Sequence, residues 1–126
     1  MENDWRPSAS IETMKRRAQL LADDRLFFAQ KGVLEVETPI LSPAAPTAPY
    51  LDSFESNYIP LGTNEKLAYY LQTSPEFAMK RLLAAETGSM YQIAKAFRNG
   101  ERGRLHSPDV TMLEWYRPEL AFTELM

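Results

Sequence analysis

The most constraining feature of the sequence is a pair of strand-like runs that flank a long polar loop. Residues 90–98, "MYQIAKAFR", and residues 110–117, "VTMLEWYR", are rich in apolar and aromatic residues, as β-strands are. A plain hairpin between them would need only a short turn of glycine, asparagine or aspartate. The loop instead holds two arginines, a glutamate and His106, the only histidine of the chain. The pattern therefore indicates a hairpin whose loop does more than reverse the chain.

Alternation along the second arm puts a carboxylate and a phenol on the same side of the sheet. Glu114 and Tyr116 are two residues apart, and successive side chains of a strand point to opposite faces. Arg98 ends the first arm, just before the loop. An arginine, a glutamate and a tyrosine that converge on one sheet face can hold a ligand with both cationic and anionic parts. The opposite side of the second arm, which we expect to pack, comprises Thr111, Leu113 and Trp115.

The first part of the chain predicts one long helix followed by a short strand. Ser10 is suited to cap a helix, and apolar residues then recur at helical spacing until Gly32, which suits a left-handed cap. We predict a helix from about residue 11 to residue 31, whose apolar stripe belongs to the core or to a dimer interface. Residues 33–38 alternate as in a short strand. The proline-rich segment, residues 39–49, predicts a turn series or a loop.

Two more strands and a second helix are predicted before the hairpin. The strand candidates, residues 53–58 and 67–71, are separated by turn residues. In "TSPEFAMKRLLAAETG", Thr73 and Glu76 have the spacing of a capping box, and Gly88 can end the helix. A third helix is expected to begin in "ELAFTELM". This order of elements predicts an α+β fold in which helices flank an antiparallel sheet.

Composition excludes several classes of function. The 126 residues suit one domain, and a net charge of −3 gives no general basic field for nucleic acid. There is no cysteine, so disulfides and thiolate metal sites are excluded. No apolar run approaches the ~20 residues of a membrane helix, and the first residues are unlike a signal peptide. We therefore predict a soluble cytoplasmic protein without a membrane partner.

Several segments resemble those of the class II aminoacyl-tRNA synthetases. "KGVLEVETPIL", within residues 26–41, is similar to their motif 1, and "FRNGERGRLHSPDVTMLEWY", within residues 90–117, is similar to their motif 2. "TSPE", "MKRLL" and "TMLEWYRP" more closely resemble the lysyl-tRNA-synthetase-like ligases that attach (R)-β-lysine to elongation factor P. The resemblance implies that residues 1–126 are the amino-terminal part of a class II catalytic domain.

This resemblance implies an ATP-dependent ligase that works in two steps. β-Lysine, or lysine, would first be activated as an aminoacyl-adenylate and then be transferred to a lysine of elongation factor P rather than to tRNA. Mg²⁺ would assist, with its ligands expected in a later part of the domain and none assigned here. Motif 1 pairs subunits in the family, which implies a homodimer.

The resemblance also implies roles for individual residues. Arg98 would be catalytic and would grip the α-phosphate of ATP, a task that suits the fork of a guanidinium. The amino-acid substrate would contact Ser74, Pro75, Glu76, Glu114 and Tyr116. ATP would contact Arg98, Asn99, Gly100, Glu101, Arg104, His106 and Ser107.

The chain departs from the family's pattern in several places. Gly100 stands where motif 2 usually has a glutamate, Ser107 replaces an asparagine, and Val110 replaces a phenylalanine that would stack on adenine. Loss of the ring removes about 1 kcal/mol of stacking and predicts weaker ATP binding. Motif 3, with its second ATP-binding arginine, is not among the 126 residues. We therefore expect these residues to be incomplete as a catalytic domain and inactive alone.

Other interpretations stay open on this evidence. The chain could be a non-catalytic synthetase paralogue that binds a nucleotide, an amino acid or a partner, or it could be a fragment of a lysyl-tRNA synthetase. Single residues also have plainer explanations. Glu76 could belong only to a helix cap, Glu114 could be a buried structural acceptor, and His106 could be a surface residue.

Overall fold

The computed structural model describes residues 5–48, 50–100 and 103–125, so the predicted role of Glu101 lies outside the described residues. The chain forms two compact units, Met1–Leu34 and Glu35–Met126. Helices together with antiparallel strand pairs confirm the predicted α+β class. Among the described residues, no helix combines the length and the apolar composition needed to cross a bilayer. The elements are α1 (Ile11–Gln30), β1 (Leu34–Glu35), β2 (Leu41–Ser42), β3 (Glu55–Tyr58), β4 (Leu67–Leu71), α2 (Glu76–Ala84), β5 (Met90–Phe97), β6 (Asp109–Tyr116) and α3 (Phe122–Leu125).

The first unit consists mainly of α1, which begins as the sequence predicts. The Ser10 hydroxyl oxygen accepts the Thr13 backbone N–H at 3.1 Å and so caps the helix. The helix ends at Gln30, and Gly32 follows in the left-handed region with φ of 68°. Phe28 is the buried residue of this helix. Most of the apolar stripe is therefore exposed, and its place in a dimer interface stays a prediction.

β5 and β6 form the long antiparallel hairpin that the sequence predicts. Eight residue pairs are in register along the full length of both strands. Each strand lies within one residue of its predicted bounds. Near the start of β5, the Val36 N–H donates to the Tyr91 carbonyl at 2.9 Å on the other edge of the strand. Of the strand predicted at residues 33–38, only β1 forms regular strand structure.

A second, smaller sheet has β4 at its centre, paired with β2 on one side and β3 on the other. Both β3 and β4 fall within predicted strands, whereas β2 falls in the proline-rich segment that was expected to be a loop. That expectation is wrong for Leu41 and Ser42, which pair with Leu71 and Tyr70. Prolines on both sides of β2 conceal it, because they interrupt the alternation that identifies a strand.

Gln72, the residue after β4, joins the two sheets. Its carbonyl accepts the Phe97 N–H at 2.8 Å, and its side-chain Nε2 donates to the Lys95 carbonyl at 2.7 Å. Because these bonds fix Gln72 to the edge of β5, the next four residues are held beside the end of that strand. We call Thr73–Glu76 the TSPE segment.

The start of α2 differs from the prediction. Pro75 is its N-cap residue and no side chain caps the helix, so the predicted capping box is wrong. Only a long hydrogen bond of 3.4 Å joins the Glu76 N–H to the Ser74 hydroxyl. Thr73 is instead 2% exposed, at the junction between the two sheets. Its position is set by the link between the sheets rather than by the helix.

The end of α2 also differs from the prediction. The helix stops at Ala84, four residues before Gly88. Two residues then adopt left-handed conformations, Glu86 with φ of 60° and Gly88 with φ of 80°. A glutamate rarely takes this conformation, so the sequence did not indicate the earlier stop.

β6 is more buried on the face that carries Glu114 and Tyr116. On its other face Thr111 is exposed and Trp115 is 42% exposed, so the expectation that this side packs is wrong. Both faces of β6 carry apolar side chains, and alternation alone cannot tell which is covered. The β5 residues on the Glu114 face are buried; they are Met90, Gln92, Ala94 and Ala96.

Candidate functional site

The TSPE segment connects the two predicted halves of the site. At one end, the Arg98 Nε donates to the Thr73 carbonyl at 3.3 Å, and Arg98 itself is half-buried. At the other end, the negative charge of Glu76 acts on Tyr116, the last residue of β6. Tyr116 pairs with Met90 at the start of β5. Arg98 follows Met90 by eight residues, so the backbones of Tyr116 and Arg98 are about 26 Å apart along the strand direction. The site is therefore an elongated strip along one face of the hairpin.

A carboxylate and a phenol are in direct contact at the far end of the strip. The Tyr116 hydroxyl donates to Glu114 Oε1 at 2.5 Å, which confirms that the two residues share a face. Burial raises the pKa of the Tyr116 phenol well above its ordinary value, and the hydrogen bond with Glu114 and the charges of Glu114 and Glu76 raise it further. Like any tyrosine, Tyr116 is protonated at neutral pH, and the raised pKa keeps its phenol a hydrogen-bond donor in more alkaline solution as well. Two carboxylates beside one phenol make a region suited to an ammonium group.

Glu76 already has a cationic neighbour. The Lys80 Nζ contacts Glu76 Oε1 at 2.5 Å, one helical turn further along α2. The two side chains are 56% and 45% exposed, so the pair contributes little to stability. An ammonium ligand could therefore replace the lysine at Glu76 with only a small loss of free energy.

The loop between β5 and β6 contains a turn of its own. The Gly103 N–H donates to the His106 carbonyl at 3.1 Å, and the His106 N–H donates back to the Gly103 carbonyl at 3.3 Å. Arg104 lies inside this turn, and both Arg104 and His106 are exposed. At the base of the loop, the Asn99 N–H donates to the Asp52 carbonyl at 2.9 Å. The predicted ATP residues thus fall into a base group beside β5 and a tip group in the turn.

The positions that depart from the family's pattern have distinct surroundings. Gly100 has φ of 80°, a conformation in which the usual glutamate would be strained. This departure therefore suits the local backbone. Ser107 follows the turn and is exposed, whereas Val110 is half-buried at the start of β6. Nothing in the structure explains the replacement at Ser107.

A cavity of about 470 Å³ lies between α2, the end of β4 and the proline-rich segment. Ser74 lines it together with Phe77 and Arg81. Two residues of the TSPE segment therefore face different regions: Ser74 lines this cavity, and Glu76 lies near Tyr116. A second cavity of about 360 Å³ is also lined by part of the proline-rich segment, and in part by Asn99. Both volumes are within the range of small-molecule sites.

Three residues that organise the site were not assigned these roles from the sequence. Gln72 fixes the TSPE segment, the Thr73 carbonyl holds Arg98, and Gln92 is buried directly opposite Glu114. The first two act through hydrogen bonds to a distant segment, from the side chain and carbonyl of Gln72 and from the Thr73 carbonyl, for which no local sequence signal exists. Gln92 did carry a signal, because it is a polar residue among the apolar residues on its face of β5.

Comparison with known families identifies the family of the chain. The family described as class II tRNA synthetases (D, K and N) matches residues 3–126, which is nearly the whole chain. The chain belongs to the class II tRNA synthetase family. The assignment of the hairpin and its loop to motif 2, and of the segment around β1 to motif 1, stays a prediction.

Several relatives with a more specific name are similar to the chain. An elongation factor P–(R)-β-lysine ligase of Vibrio vulnificus is 52% identical over 126 residues, which is 100% of this chain and 39% of the relative. A ligase of the same name from Buchnera aphidicola is 54% identical over 114 residues, 90% of this chain and 35% of the relative. Another from Proteus mirabilis is 50% identical over 123 residues, 98% of this chain and 38% of the relative. The chain thus spans between a third and two fifths of the length of these curated relatives.

Proposed function

We propose that these residues belong to an ATP-dependent ligase that activates (R)-β-lysine and transfers it to a lysine of elongation factor P. The observation that carries the proposal is the TSPE segment, which links Arg98 to the carboxylates around Tyr116. The strip is cationic at one end and anionic at the other. An aminoacyl-adenylate of β-lysine has matching charges, with a phosphate at one end and ammonium groups at the other. The shared name of the relatives supports the same substrate.

In the first step, the carboxylate of β-lysine would attack the α-phosphorus of ATP, and pyrophosphate would leave. Arg98 is suited to neutralise the charge that develops on the phosphate, because its guanidinium donates in a planar fork. Half-burial strengthens such an interaction by lowering the local dielectric. The bond to the Thr73 carbonyl restricts the side chain, so less freedom is lost when the phosphate binds.

The ammonium groups of β-lysine would bind at the other end of the strip. Glu114 and Glu76 supply the negative charge, and Tyr116 holds Glu114 through its hydroxyl. Ser74 and Pro75 would contact the amino acid from the side of the TSPE segment. Recognition of two amines by two separate carboxylates would distinguish β-lysine from amino acids with apolar side chains.

The loop would bind the rest of ATP. Asn99, Gly100 and Ser107 are proposed to lie near the adenine, and Arg104 and His106 near the outer phosphates. The exposed position of the tip residues supports this, since they can close over a ligand. Glu101 keeps its predicted role. The described residues contain no group of three or more histidine, aspartate or glutamate side chains that could hold a metal, so Mg²⁺ ligands within this chain are not proposed.

In the second step, a lysine amine of the acceptor would attack the adenylate and release AMP, with no covalent enzyme intermediate.

The exposed apolar residues of α1 support a homodimer through motif 1. A cytoplasmic location stays a prediction.

Two alternatives remain. A non-catalytic paralogue is supported by Val110, which cannot stack on adenine as the usual phenylalanine does. A lysyl-tRNA synthetase is supported by the family match, which includes the lysine enzymes. The ligase, the lysyl-tRNA synthetase and the non-catalytic paralogue each predict a different outcome: labelled elongation factor P, charged tRNA, or no product.

The test uses the longest natural form of the protein that contains these residues. With ATP and labelled (R)-β-lysine, we expect the label on elongation factor P and none on bulk tRNA. Replacement of the acceptor lysine in elongation factor P is the control and should abolish labelling. Charging of tRNA without transfer to the protein would contradict the ligase proposal, and no adenylate with either amino acid would favour the non-catalytic paralogue.

A further inference from the structure

A buried hydrogen bond connects motif 1 to the substrate end of the hairpin. The Thr38 hydroxyl donates to Gln92 Oε1 at 3.0 Å, and the two residues are 7% and 3% exposed. Thr38 follows β1, and Gln92 is the third residue of β5. A glutamine amide can accept a hydrogen bond at Oε1 and donate from Nε2, so Gln92 has a second hydrogen-bonding group beside the one that Thr38 uses.

The bond to Thr38 determines which end of the Gln92 amide faces the site. With Oε1 occupied by the Thr38 hydroxyl, the Nε2 group can only donate. Within the described residues the Gln92 side chain bonds Thr38 through Oε1, and Nε2 is not a fully buried atom, so it remains available to donate to a group in the site. Gln92 lies directly opposite Glu114 in the antiparallel register, so the two side chains share a face with Cβ atoms roughly 5 Å apart.

Glu114 has an acceptor atom that could receive this donor. Its Oε1 accepts the Tyr116 hydroxyl, and within the described part of the chain its Oε2 has no donor. A carboxylate that binds an ammonium group must stay ionised and keep one orientation, and a second donor supports both. Hydrogen bonds of this kind often form only in the complex with substrate.

We propose that Gln92 is a positioning residue for Glu114. Thr38 orients the Gln92 amide, and Nε2 donates to Glu114 Oε2 when the ammonium group of the substrate binds. Motif 1 thereby acts on the recognition of the amine through two consecutive hydrogen bonds. This inference rests on the proposed function, because it assumes that Glu114 binds an ammonium group.

The experiment measures ATP–pyrophosphate exchange in the longest natural form of the protein. Gln92→Met keeps the volume of the side chain but removes the donors. We expect the KM for (R)-β-lysine to rise on the order of tenfold, with kcat and the KM for ATP within twofold of wild type. Thr38→Val leaves Gln92 in place but frees its amide to turn, and should raise the same KM roughly threefold. Lys95→Gln is the matched control, because it removes an exposed ion pair with Asp109 on the opposite face of the same strand.

Each outcome is decisive. Unchanged KM for β-lysine in Gln92→Met, or equal changes in both KM values, would overturn the positioning role. If Gln92→Met does not fold, as judged by circular dichroism, Thr38→Val decides in the same way. Equilibrium binding of β-lysine without ATP separates this inference from the proposed function. If wild type neither binds nor activates β-lysine, the proposed function fails; if wild type does both and the variants match it, only the role of Gln92 fails.

Discussion

Replacement of Arg98 by alanine should strongly reduce adenylate formation. Arg98 is half-buried at the end of β5, and its Nε is engaged by the Thr73 carbonyl at 3.3 Å. A fork of two charged hydrogen bonds to the α-phosphate is worth about 1.5–3 kcal/mol for each bond. Removal of both should cost about 3–6 kcal/mol of transition-state stabilisation. We therefore expect kcat/KM to fall about a hundredfold to ten-thousandfold.

The assay is β-lysine-dependent ATP–pyrophosphate exchange in the longest natural form of the protein. Arg98→Lys retains the charge but loses the fork, so its loss should be smaller, about tenfold to a hundredfold. Arg117→Ala is the matched control: this arginine follows β6, at the opposite end of the hairpin, and pairs with Glu119 at 3.1 Å. Its exchange activity should stay within threefold of wild type.

Two results would refute the reasoning. Exchange by Arg98→Ala within threefold of wild type would remove Arg98 from the site. Equal losses in Arg98→Ala and Arg117→Ala would show that the hairpin, rather than the phosphate contact, was damaged. Urea denaturation of each variant checks this: an Arg98→Ala variant that has lost exchange but keeps most of its free energy of unfolding has lost the phosphate contact rather than the hairpin.

Two further predictions concern the chain itself. The 126 residues alone should form no measurable adenylate and should bind ATP no tighter than millimolar. The family resemblance predicts a further ATP-binding arginine outside them, and each lost charged contact weakens binding about tenfold or more. Micromolar affinity in isothermal titration would contradict this. Gly100→Ala should lower the free energy of unfolding by about 1–2 kcal/mol, because φ of 80° is strained for alanine. Gly103→Ala is the control, since Gly103 has no positive φ and the nearest atom to an added Cβ is 4.0 Å away. If both substitutions lower the free energy of unfolding equally in urea denaturation, backbone strain at residue 100 is not the cause.

Elements with local signals were predictable from the sequence. Ser10 and Gly32 bound α1 by capping chemistry, which depends only on neighbouring residues. The hairpin strands were recognised from their own composition and flanking turns. Glu114 and Tyr116 were assigned to one face because the period of a strand is two, and their hydrogen bond agrees.

Features that depend on distant segments were not predictable. The capping box at Thr73 and Glu76 has the right spacing, yet Gln72 fixes this segment to β5 and Pro75 begins the helix instead. The burial of β6 was assigned to the wrong face, because the alternation of Trp115 with Glu114 does not say what covers either side. The roles implied for the site residues came from the resemblance to a family. All of these roles remain predictions, because a contact between two residues does not show what they bind.

The turn at Gly103–His106 has a thermodynamic consequence for any ligand that the loop closes over. Ordering the backbone of one residue costs about 1–2 kcal/mol of conformational entropy. The two reciprocal hydrogen bonds of this turn already order four residues, from Gly103 to His106, in the absence of a ligand. That part of the entropy is lost during folding, so binding does not have to supply it. Arg104 and His106 would then approach a ligand as one preformed unit, and if the proposed phosphate contacts form, more of their free energy would be available for affinity.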